Sequence, residues 1–203
     1  MKKTIATVLA IAAGFTATSA FAQTVTGTVN VTGVVGGRCS VVAPGGGSEV
    51  KDFSGAIDLQ RLDAADGTLR SSLTGSSAAA PADNLSVATR IVCTTANPTV
   101  GISATPLNTG GATDPGAGYS NDINYVAQVR VNTASGSVKT VSYATATGGG
   151  TPVTAQLGER IAAGGTNNVA VSVHGLAAEA GATSLLAEGK YTSVISVTIN
   201  PTM

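Results

Sequence analysis

Two cysteines, Cys39 and Cys93, and a single histidine, His174, are the residues of this chain best placed by type to do chemistry. The cysteines lie 54 positions apart. There is no C-x-x-C spacing and no second histidine, so a metal pair and a redox pair are both weak readings. An even pair in an oxidising compartment reads as a disulfide. His174 follows Val169, Val171 and Val173 but falls on the opposite face of their alternation, which makes it a rim residue rather than a ligand. Serines abound, yet His174 has no obvious acidic partner and no Gly-x-Ser-x-Gly elbow occurs, so a nucleophilic triad finds no support. Carboxylates are few and scattered, which leaves no pair for acid and base roles. Asp114-Pro115 and Asn121-Asp122 offer oxygens without the spacing of a calcium loop. The glycine runs at 45–47 and 148–150 lack the Lys-Ser/Thr ending of a phosphate loop. Tyr119, Tyr125, Tyr143 and Tyr191 read as strand residues of the core or rim in preference to a sugar-binding surface. This inventory predicts no enzyme, no cofactor and no metal.

The elements that would position these residues begin after a secretory signal. Lys2 and Lys3 form a basic n-region, residues 5–15 a short apolar h-region, and Ala20, Phe21 and Ala22 an A-x-A cleavage site, so that Gln23 becomes the mature N-terminus. The apolar run is too short to span a bilayer, and no stable membrane insertion is expected. The pattern looks bacterial and implies export to the periplasm or beyond. Removing 22 of the 203 residues leaves 181, the size of one domain. Without Lys2 and Lys3 the chain has 9 basic against 11 acidic side chains, which gives no electrostatic footprint for nucleic acid.

Residues 23–39 carry the clearest pattern. Val25, Gly27, Val29, Val31, Gly33 and Val35 fall on one face, and Thr24, Thr26, Thr28, Asn30, Thr32 and Val34 on the other. A period of two marks an extended strand with one apolar face. Further strands are read at 40–43, 84–93, 99–105, 123–132, 137–145, 151–157, 167–174 and 190–200, with Tyr191, Ile195, Val197 and Ile199 sharing a face of the last. Residues 53–62 fit a strand or a short helical turn, 71–83 a Ser- and Ala-rich surface loop, and 177–186 the one plausible helical stretch. Seven or eight strands separated by turn signals predict an all-β sandwich of immunoglobulin-like layout.

The run Gly27-Thr28-Val29-Asn30-Val31-Thr32-Gly33-Val34-Val35, followed by Cys39, resembles the N-terminal extension of chaperone–usher pilins. Ile91-Val92-Cys93 is similar to the second half of the pilin disulfide, and the closing segment from Gly189 through Val197 resembles the ending of spore-coat-U-like fimbrial subunits. The ending Asn200-Pro201-Thr202-Met203 departs from the aromatic that many pilins carry next to the last position.

This resemblance implies an incomplete immunoglobulin-like sandwich, the pilin fold, divided into a signal peptide (1–22), a donor-strand extension (23–37) and a sandwich domain (38–203). It also implies a structural subunit of a surface pilus or fimbria, polymerised by donor-strand exchange, with a role in adhesion or biofilm. The partners would be other copies or related pilins, a periplasmic chaperone and an outer-membrane usher. Val25, Gly27, Val29, Val31, Gly33 and Val35 would enter a neighbour's groove, beside a C-terminal strand carrying Gly189, Tyr191, Ile195, Val197 and Ile199. The alternative is a self-contained secreted sandwich that binds a ligand such as carbohydrate.

Overall fold

Runs in which β-branched residues recur at every second position form strands that bury one face. The structure, a computed structural model, describes residues 28–42, 49–75, 85–110 and 116–201. Residues 1–22, read as a signal peptide, Val25, Gly27, the glycine run at 45–47, most of the 71–83 stretch and Asp114-Pro115 lie outside the described residues. The chain falls into two units, residues 1–34 and 35–203. In the first, residues 28–34 carry no strand assignment and are exposed.

The second unit is all-β. Its elements in order are β1 (Cys39–Val42), β2 (Glu49–Val50), α1 (Ser71–Thr74), β3 (Ser86–Thr89), β4 (Ile91–Cys93), β5 (Thr99–Ala104), β6 (Leu107–Asn108), β7 (Tyr119–Ser120), β8 (Asp122–Asn132), β9 (Val138–Ala144), β10 (Val153–Gln156), β11 (Val169–Ala178), β12 (Leu185–Leu186) and β13 (Ile195–Asn200). The largest sheet runs β3-β11-β8-β6, with β9 also paired to β8; a second runs β10-β5-β13 and a third β2-β1-β4. All these pairings are antiparallel, and β12 pairs with β7 in parallel.

Packing between the first two sheets makes the sandwich. Val169, Val171 and Val173 of β11 stand directly opposite Val131, Val129 and Ala127 of β8, and all six are buried. Val100 and Ile102 of β5 are fully buried in the same hydrophobic cluster. Each such side chain contributes roughly 1.5–3 kcal/mol when removed from water, which is the main drive for this arrangement.

The alternation predicts one strand over 84–93, and the structure corrects this: β3 and β4 are separate strands. Arg90 divides them: β3 stays with β11 in the large sheet, while β4 pairs with β1. Asn168, only 4% exposed, bridges the break. Its Oδ1 accepts from the Ile91 N–H (2.8 Å), and its Nδ2 donates to the carbonyls of Ile91 (2.7 Å) and Ala162 (2.7 Å). The side-chain amide thus replaces a strand partner where the chain changes sheets.

The helical expectation for 177–186 is corrected. β11 runs on to Ala178, the chain turns, and Leu185 and Leu186 join β7 as a short strand. Gly181, at φ 116, cannot sit in a helix in that conformation. The helix lies instead at Ser71–Thr74, inside the stretch read as loop, where its single turn buries Leu73 against the core. The last strand starts at Ile195 rather than at 190, and residues 53–62 are neither strand nor helix.

Candidate functional site: an apolar groove beside the last strand

β13 is an edge. It pairs with β5 from Ile195↔Ala104 to Asn200↔Thr99, and among the described residues no strand pairs with its other side. Ile195, Val197 and Ile199 point toward the core yet remain only half-buried, while Ser196, Thr198 and Asn200 face out. An unpaired edge with a half-covered apolar face is a template for another strand.

A groove of about 1290 Å³ opens along this edge. Its floor comes from the large sheet, through Tyr125 of β8 and Val171, Val173 and Leu176 of β11. Ile195 and Val197 form one wall, and residues 53–63 form the other. Phe53, Ile57, Leu59 and Leu62 on that second wall are half-buried against the core. The wall is held mostly by side-chain and turn contacts instead of a ladder. Gln60 N–H donates to Asp58 Oδ1 (2.8 Å), and Arg70 Nη2 donates to the Leu59 carbonyl (3.3 Å). Gln60 adopts φ 57, a conformation that costs a non-glycine residue about 1–2 kcal/mol. Gly55 lies so close to Val87 that a Cβ there would sit 2.4 Å from the valine Cγ1, so only glycine lets the wall approach β3.

Polar groups in the groove are paired. Tyr125 is 3% exposed and its hydroxyl bonds to Ser193 Oγ, which in turn donates to the Thr105 carbonyl (2.6 Å). Burial raises the Tyr125 pKa, so the phenol stays neutral. The Tyr191 hydroxyl sits between the carbonyls of Ser120 (2.8 Å) and Ala187 (3.0 Å), and burial raises its pKa as well. At the rim, Arg61 forms a two-point ion pair with Asp63, both contacts at 2.9 Å. Asp58, Glu188 and Lys190 complete a rim of mixed sign. Among the described residues lining the groove no nucleophile stands beside an activating base; what the groove offers is apolar surface beside an unpaired strand edge.

Gly189, Tyr191, Ile195 and Val197 line this groove, and Ile199 continues the same face further along β13. Val29, Val31 and Val35 are 85%, 91% and 81% exposed. A Cβ on Gly33 would meet nothing within 4 Å. Cys39 and Cys93 form a disulfide between directly opposed positions of β1 and β4, with Cα atoms 4.1 Å apart. Next to it, Thr94 Oγ1 accepts from Arg38 N–H (2.9 Å) and donates to the Gly36 carbonyl (2.8 Å), tying down the start of β1. His174 is half-buried beside the β11 bulge, where Gly175 takes φ 61, and burial lowers the histidine pKa.

The wall at 53–63 has no counterpart among the sequence-based site residues. Its signal was four apolar side chains, Phe53, Ile57, Leu59 and Leu62, whose spacings keep no single period and so left strand and helical turn both open. Apolar residues that obey no period yet persist through a loop mark a segment laid against a core. The four tyrosines make no common surface: Tyr125 and Tyr143 are buried, Tyr191 is half-buried and Tyr119 is 44% exposed.

No protein-family model, no curated protein and no solved structure matches this chain. The functional reading therefore rests on its own residues.

Proposed function

We propose that this chain is a structural subunit of a surface fibre, polymerised when the valine-lined leader of one copy completes the sandwich of the next. The single observation that carries this reading is the groove of about 1290 Å³ along the unpaired edge of β13. Its occupant must be extended, apolar on one face, and free of charge. Residues 24–35 have that chemistry: valines alternate with threonine and asparagine, and no charged residue interrupts them. The valines at 29, 31, 34 and 35 stand 81–97% exposed, a large apolar surface to leave in water.

In the proposed contact the backbone of residues 24–35 pairs with β13, and Val25, Val29, Val31 and Val35 descend toward Val171, Val173, Ile195 and Val197. Gly27 and Gly33 would let the strand lie close. Ladder bonds supply affinity and the alternating side chains supply register; a slip of one residue would turn Val25, Val29, Val31 and Val35 outward. Four valines buried at roughly 1.5–3 kcal/mol each make a strong joint. Leader and groove are different surfaces of one molecule, so the contact is head to tail and propagates. A periplasmic chaperone would cover the groove before assembly, and an outer-membrane usher would catalyse the exchange and deliver the fibre to the cell surface.

The test is Val31→Asp. Because Val31 is 91% exposed, the variant should keep the melting temperature of the parent monomer. The parent should give a ladder of oligomers on unheated gels that collapses on boiling, and the variant should give none. Fibres of normal length from the variant would refute the assignment.

A further inference from the structure

The chain enters its sandwich through a clasp made by one residue. Thr94 follows Cys93 at the end of β4 and holds three backbone groups just ahead of β1. Its Oγ1 accepts from the Arg38 N–H (2.9 Å) and donates to the Gly36 carbonyl (2.8 Å). Its own N–H donates to the Arg38 carbonyl (2.9 Å). Thr94 is itself fixed from two sides: its neighbour Cys93 is bonded to Cys39, and Arg160 Nη1 donates to the Thr94 carbonyl (2.5 Å). Residues 36–38 are therefore held to the domain although all three are exposed.

Two glycines sit inside this clasp, and local structure calls for neither. Gly36 and Gly37 do not take a positive φ. A Cβ on Gly36 would meet nothing within 4 Å, and one on Gly37 would meet Pro201 Cβ at 3.7 Å, an ordinary contact. What adjacent glycines supply is freedom, because each has two soft dihedrals and the widest choice of them. Released from Thr94 the pair is a swivel; held by Thr94 it is a fixed stem.

We propose that Thr94 is a positioning residue that makes the joint between successive subunits of the fibre stiff. The proposal rests on the assembly described above, in which residues 24–35 enter the neighbouring copy. The residue that follows them, Gly36, is bonded to its own domain, so no free linker separates the inserted strand from the sandwich that carries it. Each subunit then passes its orientation to the next, and the fibre keeps a constant direction. With the clasp open, Gly36 and Gly37 act as a short flexible linker and the joint bends freely.

The experiment is electron microscopy of fibres of the mature chain, paired with NMR relaxation on the monomers. Thr94→Val keeps the shape of the side chain and the backbone bond to Arg38 while removing the hydroxyl. It should assemble, keep the disulfide, and give fibres with a persistence length about half the parent's or less. Adding Gly36→Ala and Gly37→Ala to Thr94→Val should recover stiffness, which a general loss of stability at Thr94 would not allow. A short Gly-Ser insertion between Val35 and Gly36, which leaves Thr94 in place, should soften the fibre as Thr94→Val does. In the monomer, amide order parameters of Gly36, Gly37 and Arg38 should lie near about 0.85 in the parent and fall below about 0.6 in Thr94→Val. Thr94→Val fibres as stiff as the parent's, no recovery from the two alanines, or unchanged order parameters at residues 36–38 would overturn the proposal. A parent that forms no fibre would instead refute the assembly, and the monomer order parameters would still decide whether Thr94 holds the stem.

Discussion

Asn168 shows how much of this fold hangs on one side chain. Its amide satisfies Ile91 in both directions at the point where β3 gives way to β4. Replacement by alanine removes the donor and the acceptor together and leaves buried backbone groups unpaired, at about 1–3 kcal/mol for each group. Urea unfolding of Asn168→Ala should therefore show a loss of a few kcal/mol, whereas a change within about 0.5 kcal/mol, typical of surface substitutions, would contradict this role.

Glu159 is the second residue with a measurable signature. Hydrogen bonds from the Ser135 and Ser137 hydroxyls hold its carboxyl down at about 2, below its ordinary 4.5. The folded-state pKa is depressed, so the carboxylate's contribution is complete above the ordinary value and is lost as pH falls toward about 2. Melting temperature should decline across that window in the parent, and Glu159→Gln should flatten the decline. An identical acid profile in the variant would show that the contact with the Ser135 and Ser137 turn adds nothing.

At the scale of elements, the β1–β4 pair depends on the disulfide that joins its opposed residues. Closing a loop of 54 positions is worth roughly 2–4 kcal/mol. The double variant Cys39→Ser, Cys93→Ser should lose that much in chemical denaturation and retain its β-rich circular dichroism. A stability equal to the parent's would mean that β1 and β4 hold each other without the link.

The elements also show which parts of the structure could be read from the chain. Strands with sustained alternation were legible: the long β8, β9 and β11 with their buried valines follow from a period of two, and so does the inward face of β13. The disulfide followed from an even pair of cysteines behind a segment read as a secretory signal. Three features were not legible, each for a physical reason. A strand that changes sheets keeps its alternation, so nothing in the residues from Ser86 to Cys93 marks the break at Arg90. A one-turn helix such as Ser71–Thr74 is too short to show a helical period. The 53–63 wall is shaped by the core it lies on, and its glycine-permitted approach to Val87 and the unusual backbone of Gln60 arise from that tertiary contact. Half of the groove, the β13 side, was therefore visible in the alternation of Ile195, Val197 and Ile199; the facing wall was not.

For the whole molecule, the proposed assembly joins the exposed valines ahead of β1 to the groove along the unpaired edge of β13. Assembly should therefore change the two places at once. Hydrogen exchange, followed by mass spectrometry on monomer and polymer of the same mature chain, reads both directly. In the monomer, amides of residues 25–35 should exchange rapidly, as should alternate amides along the free edge of β13. In the polymer both sets should become slow together, and neither should change in Val31→Asp under the same conditions. A polymer in which residues 25–35 still exchange at the monomer's rate would contradict the account.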